Sequence, residues 1–428
     1  MQTSLADFIK DTPEGREADE ILRTCVHCGF CLSTCPTYLL LGDELDSPRG
    51  RIYLMKQVLE GVPATEKTQL HLDRCLNCRN CETTCPSGVK YGHLVDIGRA
   101  LVEKQVGRKG LDALRRAALR LTLPSAAFAP LLRLGQAFRG LVPEPLREAI
   151  PLRQPDTPWP VPRHPRRMLV LDGCVQPSLA PNVNAALARV LDRLGISLLR
   201  SRGAGCCGAV SHHLNAQEDG LDYARRNIDA WWPDLQQGAE ALIVTASGCG
   251  ASVMEYGHQL RHDPAYADKA AAVCEAMRDP SQVLLAERDR LAALLALENA
   301  PANLSQRRLA FHSPCTLQHA LKIRGGVERV LELAGFELTP VPDAHLCCGS
   351  AGTYSILQPG LSKQLLRNKV DDLESGGPEM IVTANIGCLV HIQGGTELPV
   401  RHWIEVLDRA LEDPRVRTGE AGLIDELA

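Results

Sequence analysis

Sulfur is where this sequence concentrates its reactive groups. Two runs share one spacing, Cys25-x2-Cys28-x2-Cys31-x3-Cys35-Pro36 and Cys75-x2-Cys78-x2-Cys81-x3-Cys85-Pro86. Three thiolates separated by two residues each wrap one face of an iron-sulfur cubane. The fourth, held away by the turn before proline, reaches the other cluster in two-cluster proteins. The expected ligand sets are therefore crossed: Cys25, Cys28, Cys31 and Cys85 on one [4Fe-4S] cluster, and Cys75, Cys78, Cys81 and Cys35 on the other. Zinc sites use CxxC pairs on either side of a longer loop and have no need of a third cysteine and a proline in both copies.

A second group of thiols lies downstream. Cys174 is followed by Cys206-Cys207-Gly208 and then Cys249, and Cys315 by Cys347-Cys348-Gly349 and then Cys388, with the same Cys-x31-Cys-Cys-Gly spacing in both halves. Adjacent cysteines offer two thiolates to one centre only in a bent turn, which the following glycine makes accessible. The pattern resembles the CCG domain, which ends in CxxC; here Ser252 and His391 stand in place of the last cysteine. These eight cysteines are candidate ligands of an additional iron-sulfur centre, the second half being favoured because the imidazole of His391 can replace a thiolate on iron. Cys274 falls outside the repeat and reads as an ordinary thiol. Gly203-Ala204-Gly205-Cys206-Cys207-Gly208 fits a dinucleotide fingerprint, but the matching DAHLCCG lacks its first two glycines, so CCG is the shared element. His212 and His213 read as a polar helix start.

Elements must hold these thiols in place. From Arg166 onward the chain repeats itself: RRMLVLDGC matches RRLAFHSPC, VLDRLGISL matches VLELAGFEL, GCCG matches LCCG, and IVTASGC matches IVTANIGC. Each half opens with a buried-strand run, continues through a helical segment closed by Gly195 or Gly335, and returns to a strand, implying parallel α/β units. Cysteines then sit at strand ends, where open α/β sheets place their ligands. Between the ferredoxin-type runs, Ser47 to Gly61 reads as a capped helix carrying Ile52, Met55, Gln57 and Val58, with Arg49 and Arg51 read as solvated surface. Lys104 to Arg147 carries nine Lys/Arg against Asp112 and Glu144, with Leu111, Leu114, Leu119, Leu131, Leu132 and Phe138 at helical intervals. Packing of these helices on their own domain is the expectation, and docking on an anionic membrane or a partner the alternative. Prolines from Pro151 to Pro165 mark a linker.

The fold class expected is α+β multidomain, an N-terminal helical two-cluster ferredoxin domain followed by a duplicated α/β CCG domain. Its divisions are 1–110, a basic proline-rich linker 111–165, a first repeat 166–300 and a second 301–428. Seventeen cysteines, an odd number, argue for metal ligation in a reducing compartment rather than disulfides. A net charge of -4 gives no footprint for nucleic acid. No signal-peptide pattern and no spanning run stand out, so a cytoplasmic or peripheral protein is expected.

With its paired runs, linker and CCG repeats, the whole chain resembles the iron-sulfur subunits that serve respiratory flavoenzymes. The segments ILRTCVHCGFCLSTCPTY, LLGDELDSPRGRIYLMKQVLEG, HLDRCLNCRNCETTCPSGV and TANIGCLVHIQ look most like those of glycolate-oxidising complexes. The resemblance implies an electron-transfer subunit, without catalysis of its own, working with two FAD-dependent flavoproteins. These oxidise glycolate to glyoxylate, with D-lactate as a secondary substrate, and the electrons end on a quinone or other acceptor. It further implies a peripheral position on the cytoplasmic face of the bacterial inner membrane. A disulfide reductase is the rival reading, and absence of the fifth cysteine from both repeats argues against it.

Overall fold

The structure, a computed structural model, describes residues 1–141, 143, 150–155, 157–296 and 308–412. Glu144 and Arg147 of the basic stretch lie outside the described residues.

The N-terminal part is helical: α1 (Pro13–Thr24), α2 (Pro36–Leu41), α3 (Pro48–Leu59), α4 (Glu66–Asp73), α5 (Asn80–Thr84) and α6 (Tyr91–Val106). The insert between the two cysteine runs forms α3 as expected. Pro48 occupies its first turn, where no N–H is needed, and the Ser47 hydroxyl accepts from Gly50 N at 2.9 Å. Ile21, Leu22, Ile52, Met55, Leu59, Leu94 and Val95 make one buried cluster with Cys25 and Cys81. At Gly98 of α6 an added Cβ would meet Met55 Sδ at 2.4 Å, so glycine sets how closely α3 and α6 cross.

Arg51 departs from expectation. It is 1% exposed, its Nε donating to His71 O at 2.7 Å and its Nη2 to Thr37 Oγ1 at 3.0 Å, with the buried Asp46 carboxylate at 3.3 Å. Carbonyl, hydroxyl and carboxylate together satisfy the guanidinium fork, which is what a buried arginine requires. Arg49 is half-buried and pairs with Glu44 at 2.7 Å.

Two four-stranded parallel sheets follow. The first comprises β1 (Arg166–Val170), β2 (Ile196–Arg200), β3 (Leu242–Ile243) and β4 (Met277–Arg278), ordered β2-β1-β3-β4. The second comprises β5 (Arg308–His312), β6 (Glu337–Leu338), β7 (Met380–Thr383) and β8 (Val400–His402), ordered β6-β5-β7-β8. The duplication seen in the sequence is thus a duplication of topology. One core spans both halves, joining Met168, Val183 and Leu187 to Leu309, Phe311 and Trp403. The halves also meet through polar contacts: Ser247 Oγ lies 2.8 Å from Thr316 Oγ1, and Gly248 N donates to Asn385 Oδ1 at 3.1 Å.

Helices α7 (Gly110–Thr122) and α8 (Phe128–Ala137) depart from the packing expected of them, with Leu119 and Leu132 only half-buried. Arg116 is the residue of α7 that is buried, held by Asp73 at 3.2 Å and Asp112 at 3.0 Å. Leu111, Leu114, Leu121, Leu131, Leu134 and Phe138 are instead each more than half exposed. On α7 Arg116 faces the protein, because Asp73 of α4 is there to receive it, and much of the apolar face of both helices is turned outward.

Candidate metal centres

The eight N-terminal cysteines line two cavities. Cys25, Cys28, Cys31 and Cys85 line one, and Cys35, Cys75 and Cys78 the other; Cys81 lies on the wall between them, with Pro48 and Tyr91 also lining both. The chain therefore brings each triplet together with the fourth cysteine of the opposite run.

Local backbone explains how. Asn77 and His27, between the first two cysteines of each run, take φ of 54° and 57°, and Arg79 takes 57° where the first run has Gly29 at 86°. Left-handed residues turn the chain inward at each step so that the three successive thiols of a run converge. The conformation costs a non-glycine residue about 1 kcal/mol. Donors then face sulfur: Asn77 N donates to Cys75 Sγ at 3.4 Å and Tyr91 Oη at 3.7 Å. Arg51 Nη1 lies 3.9 Å from Cys35 Sγ.

Four thiols per cavity, N–H and O–H donors aimed at sulfur and a nearby fixed cation fit an iron-sulfur cluster. Burial pushes the Cys25, Cys78 and Cys81 thiols up, and Cys31 up to about 11. Without metal such groups stay protonated; a coordinated cation is what would hold them as thiolates.

In the repeats the thiols gather at the switch point of each sheet, where chain connections leave the two central strands in opposite directions. Cys174 follows β1 and Cys315 follows β5; Cys249 and Cys388 start the helices after β3 and β7. Gly208 and Gly349 have φ of 85° and 91°, and an added Cβ would meet Gly220 O at 2.6 Å or Ser362 O at 2.7 Å, so the CCG turn admits only glycine in both halves. The turn also closes on sulfur, with Gly208 N donating to Cys206 Sγ at 3.4 Å and Gly349 N to Cys347 Sγ at 3.5 Å. Cys315 and Cys347 sulfurs lie 3.8 Å apart.

The two substitutes for the last cysteine stay beside the CCG turns, Ser252 at Cys207 and His391 at Cys348. Ser252 Oγ donates to Cys207 O at 3.3 Å, and His391 Nε2 is 3.2 Å from Ser362 Oγ. A different histidine, which the sequence did not single out, stands among the second-half thiols: His312, Cys348 and Cys388 each bring a ligand atom within 4.8 Å of the others. Burial pulls His312 down to about 3. Cys274 donates to Val253 O at 3.3 Å, the part of an ordinary thiol. His212 and His213 end a short helix rather than start one, and face Asp96 at 3.3 and 3.8 Å.

The second repeat abuts the cysteine-run domain. Cys78, Cys315, Cys347, Leu76 and Tyr354 share one packed cluster. Asn80 Nδ2 donates to His345 O at 3.1 Å, and Thr83 Oγ1 lies 3.1 Å from His319 Nδ1.

Comparison with known proteins matches residues 21–89 to a 4Fe-4S dicluster domain, and residues 168–254 and 309–393 to the cysteine-rich CCG domain. The chain is 56% identical over 414 residues to the glycolate oxidase iron-sulfur subunit of Escherichia coli strain K12, covering 96% of this chain and 100% of that one. The chain belongs to the glycolate oxidase iron-sulfur subunit family. The probable glycolate oxidase iron-sulfur subunit of Bacillus subtilis strain 168 is 32% identical over 409 residues, 88% of this chain and 89% of its own. Lactate utilization protein A of Bacillus licheniformis is 28% identical over 241 residues, 55% of this chain and 96% of its own. As an iron-sulfur subunit of this family the protein binds [4Fe-4S] clusters, transfers electrons, and works with partner subunits of an oxidoreductase. Among the described residues no helix is long and apolar enough to cross a membrane.

Proposed function

We propose that this chain relays electrons within a complex that oxidises glycolate to glyoxylate, with D-lactate as a secondary substrate. Two FAD-dependent flavoproteins would supply the electrons, and a quinone or other acceptor would take them. The observation that carries the reading is the common wall of the two cysteine cavities, where Cys81, Pro48 and Tyr91 line both. A single layer of side chains between two four-thiol sites suits a relay. A [4Fe-4S] cluster exchanges one electron at a time, whereas a flavin collects two in one step, so the division of labour is chemical.

Within this reading Cys25, Cys28, Cys31 and Cys85 hold one cluster, and Cys35, Cys75, Cys78 and Cys81 the other. Cys315, Cys347, Cys348 and Cys388 hold a further iron-sulfur centre, next to Cys78. Cys174, Cys206, Cys207 and Cys249 form the corresponding but weaker candidate. The working divisions are 1–110, 111–165, 166–300 and 301–428. The outward apolar face of α7 and α8 supports peripheral attachment to the cytoplasmic face of the inner membrane.

The test is reconstitution. Anaerobically purified chain alone should give no glycolate-dependent dye reduction, and addition of the flavoprotein partners should restore it. Turnover by the isolated, flavin-free chain would overturn the relay reading.

A further inference from the structure

The two repeats are built alike, so the places where they differ carry information. His312 ends β5, at the position that Leu171 holds in the first half. Both are buried, Leu171 at 1% and His312 at 2% exposure. Leucine is therefore sufficient for packing there. An imidazole in its place brings two ring nitrogens that must be satisfied, and one left bare in the interior costs about 1–3 kcal/mol.

Only one is satisfied. His312 Nδ1 lies 3.0 Å from the hydroxyl of Thr383, its register partner on β7. That hydroxyl also lies 3.2 Å from His312 O, and with its single proton given to that carbonyl it accepts from the ring. The proton of the neutral ring is consequently on Nδ1, and Nε2 presents a lone pair. Nε2 is buried without a hydrogen-bond partner. Ring orientation by a bond at the other nitrogen is how metal-binding histidines are fixed. The neighbours offered are the buried thiols of Cys348 and Cys388.

A second difference points the same way. Lys369 stands where the first half has Asn227 and is 2% exposed. Its Nζ donates to Asp343 O at 2.6 Å and has the Asp372 carboxylate at 3.5 Å, and it interacts electrostatically with Cys347, Cys348 and His312. Asn227 instead serves the backbone, donating to Cys206 O at 2.8 Å. An ammonium so placed is costly unless negative charge faces it; Asp372 supplies part of that charge, and thiolates on a metal would add to it.

We infer that His312 Nε2 is a ligand of the metal centre in the second repeat, completing a mixed thiolate-imidazole set with Cys348 and Cys388. This rests on the reading above that the second repeat holds an iron-sulfur centre, and it replaces His391 as the imidazole concerned. Lys369 compensates the charge of the thiolates. Mixed ligation and a neighbouring cation both raise a reduction potential relative to an all-thiolate site. The second repeat, packed against Cys78, would then be the electron-accepting end of the relay.

The experiment uses the full chain, purified anaerobically, as wild type, His312→Leu, His312→Cys and Thr383→Val. Iron and zinc are quantified per chain, alongside EPR-monitored redox titration and a thermal melt. His312→Leu copies the residue of the first half and should fold. Wild type is expected to hold more than the about eight iron atoms that two cubanes require. His312→Leu should fall to about eight, with the two ferredoxin-type signals intact. His312→Cys should keep the metal with an altered spectrum and a lower potential, and Thr383→Val should lose part of it. Extra iron retained in His312→Leu, with an unchanged spectrum and potential, would overturn the ligand while leaving the centre standing. About eight iron atoms and no zinc in wild type would overturn both. Zinc present in wild type and lost in His312→Leu would uphold the ligand and overturn the iron reading.

Discussion

Arg51 Nη1 stands 3.9 Å from the Cys35 sulfur, with Nε and Nη2 committed to His71 O and Thr37 Oγ1. A fixed positive charge there favours the reduced state of whatever the Cys35, Cys75, Cys78 and Cys81 set holds. Arg51→Met should therefore lower the midpoint potential of that cluster and leave the other nearly unmoved. Stability should fall by roughly 3 kcal/mol, the low end for breaking a buried pair, since Asp46 keeps Arg74 at 2.7 Å and His71 at 3.2 Å. Redox titration with EPR detection and a denaturant melt read the two effects separately; an unmoved potential would show that the charge is not felt at the cluster. The crossed ligand sets make their own prediction. Cys25→Ser and Cys85→Ser should abolish or alter the same EPR signal, and Cys35→Ser the other one. If Cys25→Ser and Cys35→Ser share a signal, the crossing is wrong.

Secondary structure was most readable where its causes are local. The capped α3 and the duplicated strands at β1 and β5 follow from contiguous residues, and the cysteine runs declare their chemistry by spacing alone. Arg51 and His312 were not readable, because their partners come from other parts of the chain: His71, twenty positions from Arg51, and Thr383, seventy-one from His312. Nothing near either residue distinguishes a surface arginine or a core histidine from what the fold makes of it. Helices α7 and α8 failed for a related reason. Their periodicity shows an apolar face, but which way that of α7 points depends on Asp73, far enough upstream to lie on α4, drawing Arg116 inward. The outward face gives a prediction for these elements. Leu111→Gln, Leu114→Gln and Leu121→Gln together should leave the melting temperature nearly unchanged, because each leucine is already at least 66% exposed. Binding to vesicles containing anionic lipid should weaken on the order of 100-fold, at about 1 kcal/mol per partly buried leucine. Equal co-sedimentation of wild type and the triple variant would remove the membrane from the account of this face.

At the scale of the molecule, the helical domain is fastened to the first repeat by histidines and carboxylates. His93 on α6 has Nδ1 3.0 Å from Glu17 on α1 and Nε2 2.9 Å from Glu255 of the first repeat. Its ring stacks on His258 at 3.9 Å, and His258 in turn lies 2.7 Å from Glu17. Arg79 pairs with Glu255, and Arg261 with Glu17 at 2.8 Å. Burial disfavours charge on His93, but hydrogen bonds to both carboxylates overcome it and raise the group from 6.5 to about 9. His212 is raised as well, its burial outweighed by Asp96. Because the docked state binds the proton more tightly than the undocked one, the contribution is complete below the free histidine value and is lost as pH rises through about 9. Docking of the two parts should therefore be tightest below the free histidine value, weaken progressively as pH rises from there, and be loosest above pH 9. Hydrogen exchange of amides in α6 and in Val253–Leu260 reads this directly, with faster exchange expected at high pH after correction for the intrinsic rate. His93→Gln keeps hydrogen-bonding capacity but cannot titrate, so it should flatten the pH dependence. Corrected protection that is the same at neutral pH and above pH 9 in wild type would show that the interface does not depend on the charge of His93, with the imidazoles as spacers between carboxylates already paired with Arg79 and Arg261.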